Sequence, residues 1–516
     1  MIMLDVSIIT VAIPSIIDGL QASLAQVLWV LNAYTMVYAV LMMTSARLGD
    51  LAGTRTLYLL GLGAFTVASA LCGFAHDPNQ LIAARSVQGV GAALLTPQTM
   101  TIITNVFPPN KRGAAFGVWG AVAGAAGVIG LTLGGLIVTA VGWRWVFFVN
   151  IPVGVVDLLC ALILIPNLRG NRHHRFDVPG VVIATLGLFG LLFGLIEGQS
   201  YNWGPVLGAL NIWEIIGVGV VLLAGFVIWE HFQVEPLMPS ALFRLPNFSL
   251  MNAVMVLVVV GVMGVFLPFM IYLQSVLNLT PLQAGLAIAP MGLTQMLAGP
   301  ISGRLADRIG GRFVLAFGLL MSVVGLGLVV MVASVHTHWY NLIVPMTIMG
   351  LGMGSTWPSM ISMAMAGVGG SLAGAASGVF NTTRVLGFAL AGAVVGALLQ
   401  NQLATSLTTV AGRYSQQLPQ ELRAPFVSGF RNAAASGLKV GRGQAGSSIP
   451  HGLPHQLVGQ LEVLSRQVFT HAYVQALRPT LELSLAAMAL AMLFSIPVRS
   501  VAVEQIEAKE EMPVHS

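Results

Sequence analysis

Asp5 lies in Leu4-Asp5-Val6-Ser7-Ile8-Ile9-Thr10-Val11-Ala12-Ile13-Pro14, an otherwise apolar stretch that holds one carboxylate and two hydroxyls. An acid inside an apolar span costs about 2.5–3.5 kcal/mol on insertion scales, which makes it a functional candidate unless it reaches water at the helix end. Both readings stand for Asp5, because only four residues precede it; the helix is short for a span, and its natural start is read as upstream of Met1. Arg85, in Arg85-Ser-Val-Gln88-Gly89-Val-Gly91, poses the same choice. It is either an inward cation that must be paired or a snorkelling arginine near a helix start. Asp157 lies mid-span in another apolar run, as a second protonatable acid or a carboxylic acid held between helices. Such groups can carry a proton: burial favours the neutral carboxyl and a nearby cation the ionised one, so a change of surroundings switches the state. Gln88, Asn381 and Arg384 are candidates for substrate contact, the last two one helical turn apart on one face. Arg384 could instead pair with Glu482. Cys72, Cys160 and the His173-His174 pair lack metal-site spacing, so no metal site is expected.

A second group of polar residues sits between apolar runs. Gly303-Arg-Leu-Ala-Asp307-Arg308-Ile-Gly310-Gly-Arg312 has a degraded copy at Ala46-Arg-Leu-Gly-Asp50-Leu-Ala-Gly53-Thr-Arg55. Asp50 and Asp307 are 257 residues apart. Gly89-x-Gly91 with Pro97 recurs as Gly350-x-Gly352 with Pro358 at a spacing of 261, and Ala114-Ala115-x-Gly117-Val118-Trp119 recurs as Ala375-Ala376-x-Gly378-Val379-Phe380 at the same spacing. Matches in one order at nearly one offset indicate an internal duplication, a common way to build a secondary transporter. The charges of the two polar stretches can latch helix ends and release them as the halves rock. Arg85 has Met346 as its counterpart, so only one half holds that charge.

The elements that must position these residues are membrane spans. A chain of 516 residues that is 56% hydrophobic and 8% charged falls outside the soluble globular range, where about a quarter of residues are charged. At about 20 apolar residues per span, fourteen segments are predicted: 1–19, 27–45, 57–75, 80–106, 114–140, 146–166, 179–198, 207–229, 248–272, 282–302, 313–334, 341–365, 376–399 and 477–498. With both termini cytoplasmic, thirteen Lys and Arg residues fall on the inner side and only Arg144 in the short outer loops, which sets the orientation. The fold class is therefore an all-α integral membrane protein with two six-helix bundles, 1–166 and 248–498. A link, 167–247, inserts two helices that match neither copy, and a tail, 499–516, follows. Glu197 and Glu214 are expected near water at the outer helix ends. Residues 400–476 read as a polar, partly flexible outer cap, with Gly-rich 436–448 flanked by helix-like 416–434 and 453–475. Glycines at 117, 120, 124, 127, 130 and 134 form one stripe for close packing. Trp143-Arg144-Trp145-Val-Phe147-Phe148 is expected to be an interfacial aromatic belt.

These residues resemble the major facilitator superfamily and, within it, the fourteen-helix drug:proton antiporter family. Gly303–Arg312 resembles the superfamily's signature loop and Ala46–Arg55 a weaker version with Ala46 for the leading glycine. Leu4–Pro14 resembles the first-helix motif, whose acid is implicated in proton coupling, and Arg85, Gln88 and Gly89 the helix-four motif, whose arginine is linked to proton transfer. Trp143–Gly154 is similar to a stretch typical of the fourteen-helix branch. The helix-five antiporter motif Gly-Pro-x-x-Gly-Gly is here Gly130-Leu131-Thr132-Leu133-Gly134-Gly135, without its proline. The resemblance implies a monomeric carrier in the inner (plasma) membrane whose partners are lipid, protons and a small-molecule substrate, with the proton gradient in place of a cofactor. It implies export of amphipathic, cationic or aromatic compounds, with Asp5 and Arg85 as neighbours. A substrate-specific transporter of an amino acid or lipid-like metabolite and a non-transporting sensor remain as alternatives. The sequence holds no Gly-x-x-x-x-Gly-Lys-[Ser/Thr] loop and no catalytic constellation, so neither ATP-driven transport nor an enzyme is expected, and the charge of +5 belongs to topology rather than to nucleic acid.

Overall fold

The computed structural model describes residues 1–22, 24–166, 177–198, 201, 203–208, 210–233, 236–369, 372–435 and 455–498. The first half is built of α1 (Ile2–Leu20), α2 (Leu24–Ala52), α3 (Thr54–Gly73), α4 (Pro78–Val106), α5 (Arg112–Val141), the single turn α6 (Trp145–Phe148) and α7 (Asn150–Leu164). Two further helices follow, α8 (Val178–Glu197) and α9 (Ile212–His231), joined by a small hairpin of Pro205–Leu207 and Leu210–Asn211. The second half comprises α10 (Ser240–Phe243), α11 (Pro246–Ile271) with a π turn at Tyr272–Val276, α12 (Pro281–Ile309), α13 (Gly311–Val332), α14 (Ile343–Met365), α15 (Ala373–Ser415), α16 (Gln420–Ala435) and α17 (His455–Ser495). Among the described residues, ten helices are long and apolar enough to cross a membrane. Large apolar side chains such as Val221, Met331 and Leu164 face outward, which suits lipid as the surrounding medium.

Local sequence sets the helix ends. Asp77 and Asp177 accept backbone N–H bonds at the starts of α4 and α8, with proline in the first turn, and Thr280 with Gln283 forms a capping box on α12. The two polar stretches differ from the loops expected of them. Ala46–Asp50 and Gly303–Ile309 are the last turns of α2 and α12, and the chain reverses at single glycines, Gly53 (φ 94°) and Gly310 (φ 97°), in a region closed to most side chains. Hydropathy marks where lipid ends, whereas the helix continues past it.

The duplication is visible in the packing. Gly91 of α4 packs against Gly61 and Phe65 of α3, and Gly352 of α14 against Gly318 and Ser322 of α13. Gly89 meets the carbonyl of Tyr34 on α2, and Gly350 that of Met291 on α12. Between halves, α5 packs along α12 and α15 along α2, while α8 and α9 pack mainly on each other and α8 reaches α2 and α15.

Four expectations are corrected. The described parts of 400–476 are not a loose cap: α15 runs unbroken to Ser415, α17 starts at His455, and Leu403, Leu407, Phe426, Phe430, Leu461 and Val468 belong to the second half's core. Glu197 is buried and accepts a 2.5 Å bond from Asn32 Nδ2 rather than facing water. Trp143 and Phe147 are core residues behind α1 and α3, so the aromatic cluster is not purely an interfacial belt. Gly127 of the stripe and Gly135 of the helix-five motif do not pack closely, since a Cβ would meet nothing within 4 Å at Gly127 and only Val11 at 3.9 Å at Gly135, while Gly130 and Gly134 press on Ser7 and Ile8 of α1. The basic link 167–176, with His173 and His174, the Gly-rich stretch 436–448 and the tail 499–516 lie outside the described residues.

Candidate proton and substrate site

Asp5 is fully buried, which removes the reading of a solvated interfacial acid. Its Oδ2 pairs with Arg85 Nη1 at 2.7 Å, and Arg85 itself is 1% exposed, so it does not snorkel. Three more hydrogen bonds tie the site together. Asn150 Nδ2 and Gln88 Nε2 donate to Asp5 Oδ1 at 2.8 and 3.1 Å, and Arg85 Nη1 also donates to Gln88 Oε1 at 2.6 Å. Asn150 Nδ2 reaches Ser69 Oγ at 3.1 Å, and Ser69 Oγ donates to the Phe147 carbonyl at 2.9 Å. The guanidinium of Arg85 lies 4.1 Å over the ring of Tyr34. Each span gives this cluster one or two side chains: Asp5 from α1, Tyr34 from α2, Ser69 from α3, Arg85 and Gln88 from α4, and Asn150 from the start of α7. A buried ion pair survives only when hydrogen bonds meet its remaining polar atoms, and here both Asp5 oxygens accept such bonds.

The network continues toward the second half. Tyr34 stacks on Tyr38 with centroids 5.9 Å apart, and Tyr38 Oη accepts from Arg384 Nη2 of α15 at 3.2 Å. Arg384 thus bonds to α2 rather than to Glu482. It also lines a cavity of about 380 Å³ between the halves, walled by α1, α5, α11, α12, α14 and α15. Met3, Val6 and Ser7 of α1 lie on that wall, while Asp5 of the same helix is buried and does not line it. Most of the lining is Met, Phe, Trp and Gly, as an apolar pocket with few polar groups requires. Gln88 and Asn381 are not on this wall. Gln88 is held by Asp5 and Arg85, and Asn381 Nδ2 donates to the Ser377 carbonyl and contacts Met100 Sδ. Asp157 is apart from both sites, accepting from Tyr58 Oη at 3.2 Å between α7 and α3.

The two repeated aspartates reach across the halves. Asp307 Oδ1 and Oδ2 accept from the backbone N–H groups of Gly113 and Ala114 at 2.9 and 2.8 Å, capping α5 from α12. Asp50, at the end of α2, has its carboxylate against Gly374, where α15 begins. A carboxylate at a helix N-terminus meets unpaired N–H groups and the positive end of the helix dipole. Gly303 and Gly113 allow the approach, since a Cβ at Gly303 would overlap the Gly113 carbonyl. Arg55 donates to the Leu162 carbonyl, tying the start of α3 to α7. Arg308 and Arg312 make no cross-half bond among the described residues.

Sequence reasoning missed Asn150, Ser69 and Tyr34. Asn150 did show as an amide inside an apolar run, but nothing in the linear order ties it to Asp5, 145 residues away.

Residues 1–392 match the family model of the Major Facilitator Superfamily. An uncharacterized MFS-type transporter of Mycobacterium tuberculosis is 39% identical over 83% of this chain and 75% of its own length. The tetracenomycin C resistance and export protein of Streptomyces glaucescens is 32% identical over 78% of this chain and 74% of its own. Among solved structures, the human organic anion transporter MFSD10 aligns with a TM-score of 0.54 at 14% identity, covering 90% of this chain and 96% of that one. A family match over three-quarters of the sequence, two related halves around an apolar cavity and ten membrane-length helices agree: this chain is a multi-pass membrane protein of the Major Facilitator Superfamily.

Proposed function

We propose that this protein is a proton-coupled exporter of amphipathic aromatic compounds, working as a monomer by alternating access in the cytoplasmic membrane. In this reading fourteen helices span the bilayer, both termini are cytoplasmic, and α8 with α9 is a pair inserted between two six-helix bundles. The observation that carries it is the buried Asp5–Arg85 pair on a helix, α1, whose Met3, Val6 and Ser7 line the cavity. Neutral Asp5 would no longer hold Arg85 by charge, so proton binding would loosen a contact that joins α1 to α4 and, through Tyr34 and Tyr38, leads to Arg384. Asp50 and Asp307 would latch one face of the molecule while the cavity is closed on that side. Export is supported by the Streptomyces glaucescens relative, a resistance and export protein. The test is dye uptake by energised inside-out vesicles with and without a protonophore. Uptake should collapse with the proton gradient; uptake that persists would overturn proton coupling.

A further inference from the structure

Reading the cavity between the halves as the substrate site, Arg384 is its only formally charged lining residue among the described residues. Arg384 is 6% exposed, and among the described residues it forms no ion pair; its one bond goes from Nη2 to Tyr38 Oη. A guanidinium has five N–H donors, and a buried cation with no anion nearby is unfavourable. Asp5, on the cavity-lining helix α1, is already paired with Arg85. The remaining lining offers flat rings and soft sulfur, with Trp119, Trp357, Phe266 and Phe388 beside Met346 and Met349. We infer that the cavity takes ligands with an apolar aromatic body and an acidic group, a carboxylate or phenolate held by Arg384, and disfavours the cationic compounds expected from the sequence. A ligand anion would give Arg384 the charge-assisted, bidentate partner that the protein withholds.

The inference rests on the cavity being the substrate site, and the test reads binding apart from transport. The full chain, purified in detergent, is titrated with two matched probes, 1-pyrenebutyrate and 1-pyrenebutylamine. The carboxylate should bind at least about tenfold more tightly. Arg384→Met keeps the length without the charge and should bring the two probes to within about twofold, while Arg384→Lys should retain part of the preference. Equal or tighter binding of the amine, no binding of either probe, or an unchanged preference in folded Arg384→Met would overturn the inference. Palmitate displacing pyrenebutyrate at lower concentration than pyrenebutyrate itself binds would assign the cavity to acyl chains and overturn the aromatic class. Carboxylate-selective binding without proton-driven movement of pyrenebutyrate in vesicles would support the inference and count against the exporter.

Discussion

In the first half, Tyr34, Arg85 and Gln88 surround Asp5; one repeat later the same positions are Met291, Met346 and Met349, and all three line the cavity. The joints around them are alike. Gly53 and Gly310 reverse the chain with nearly the same φ, Gly89 and Gly350 press on carbonyls of α2 and α12, and Asp50 and Asp307 sit at the starts of α15 and α5. The duplication thus keeps backbone contacts and varies what fills the space between them. One copy holds a buried ion pair, and the other presents an adaptable apolar wall. Chemistry resides where the copies part.

The largest effect is expected at the polar copy. Asp5→Asn mimics a permanently neutral acid, so substrate accumulation driven by a pH gradient should fall to background in reconstituted vesicles, at normal membrane abundance. If the variant still concentrates substrate against a gradient, the coupling acid lies elsewhere and Asp157 becomes the next candidate.

Making the first half like the second tests the comparison through stability. Arg85→Met installs the residue that the second copy uses, and it leaves Asp5 buried without its cation. Stripping one partner from a buried pair typically costs about 3–5 kcal/mol, whereas replacing both can be near neutral. Thermal unfolding in detergent should therefore drop sharply for Arg85→Met and recover for Asp5→Asn with Arg85→Met. A double variant as unstable as the single one would mean that the arginine contributes through packing on Tyr34 rather than through charge.

How much of this the sequence discloses follows the range of each signal. The repeat is legible because its glycines and aspartates keep offsets of 257 and 261, and each marks a place where backbone or an N-terminus needs that residue. Asp5 and Arg85 stand out singly because charge is rare in lipid, and family resemblance brings them together. Asn150 and Ser69 do not stand out: a small polar residue in a span is ordinary, and only the fold brings α3 and α7 to α1. Gln88 and Asn381 were expected to line the cavity because periodicity reports which residues share a helix face and leaves open what that face meets. The segment after residue 399 was misjudged for another reason. Its described helices bury apolar stripes in the second half's core, so low mean hydropathy there goes with a one-sided apolar face rather than with a loss of order.

The smallest expected effect sharpens the comparison from its conserved-geometry side, at Asp307 and Asp50. Asp307→Asn keeps an oxygen that can accept from Gly113 or Ala114 but loses the second acceptor and the charge at the start of α5. Capping and dipole contributions are each of order 0.3–2 kcal/mol, enough to change how often this face opens but not to unfold a half. Neither aspartate lines the cavity, so equilibrium affinity should stay within about threefold while the transport rate falls. Because the two carboxylates repeat one joint, Asp50→Asn should shift the same equilibrium in the same direction. Distances between spin labels on α2 and α15, measured for each single variant and for the pair, would show this as a growing open fraction. Opposite shifts from the two variants would mean that the joints work against each other. A loss of affinity beyond about tenfold in folded Asp307→Asn would place this joint within the binding machinery rather than beside it.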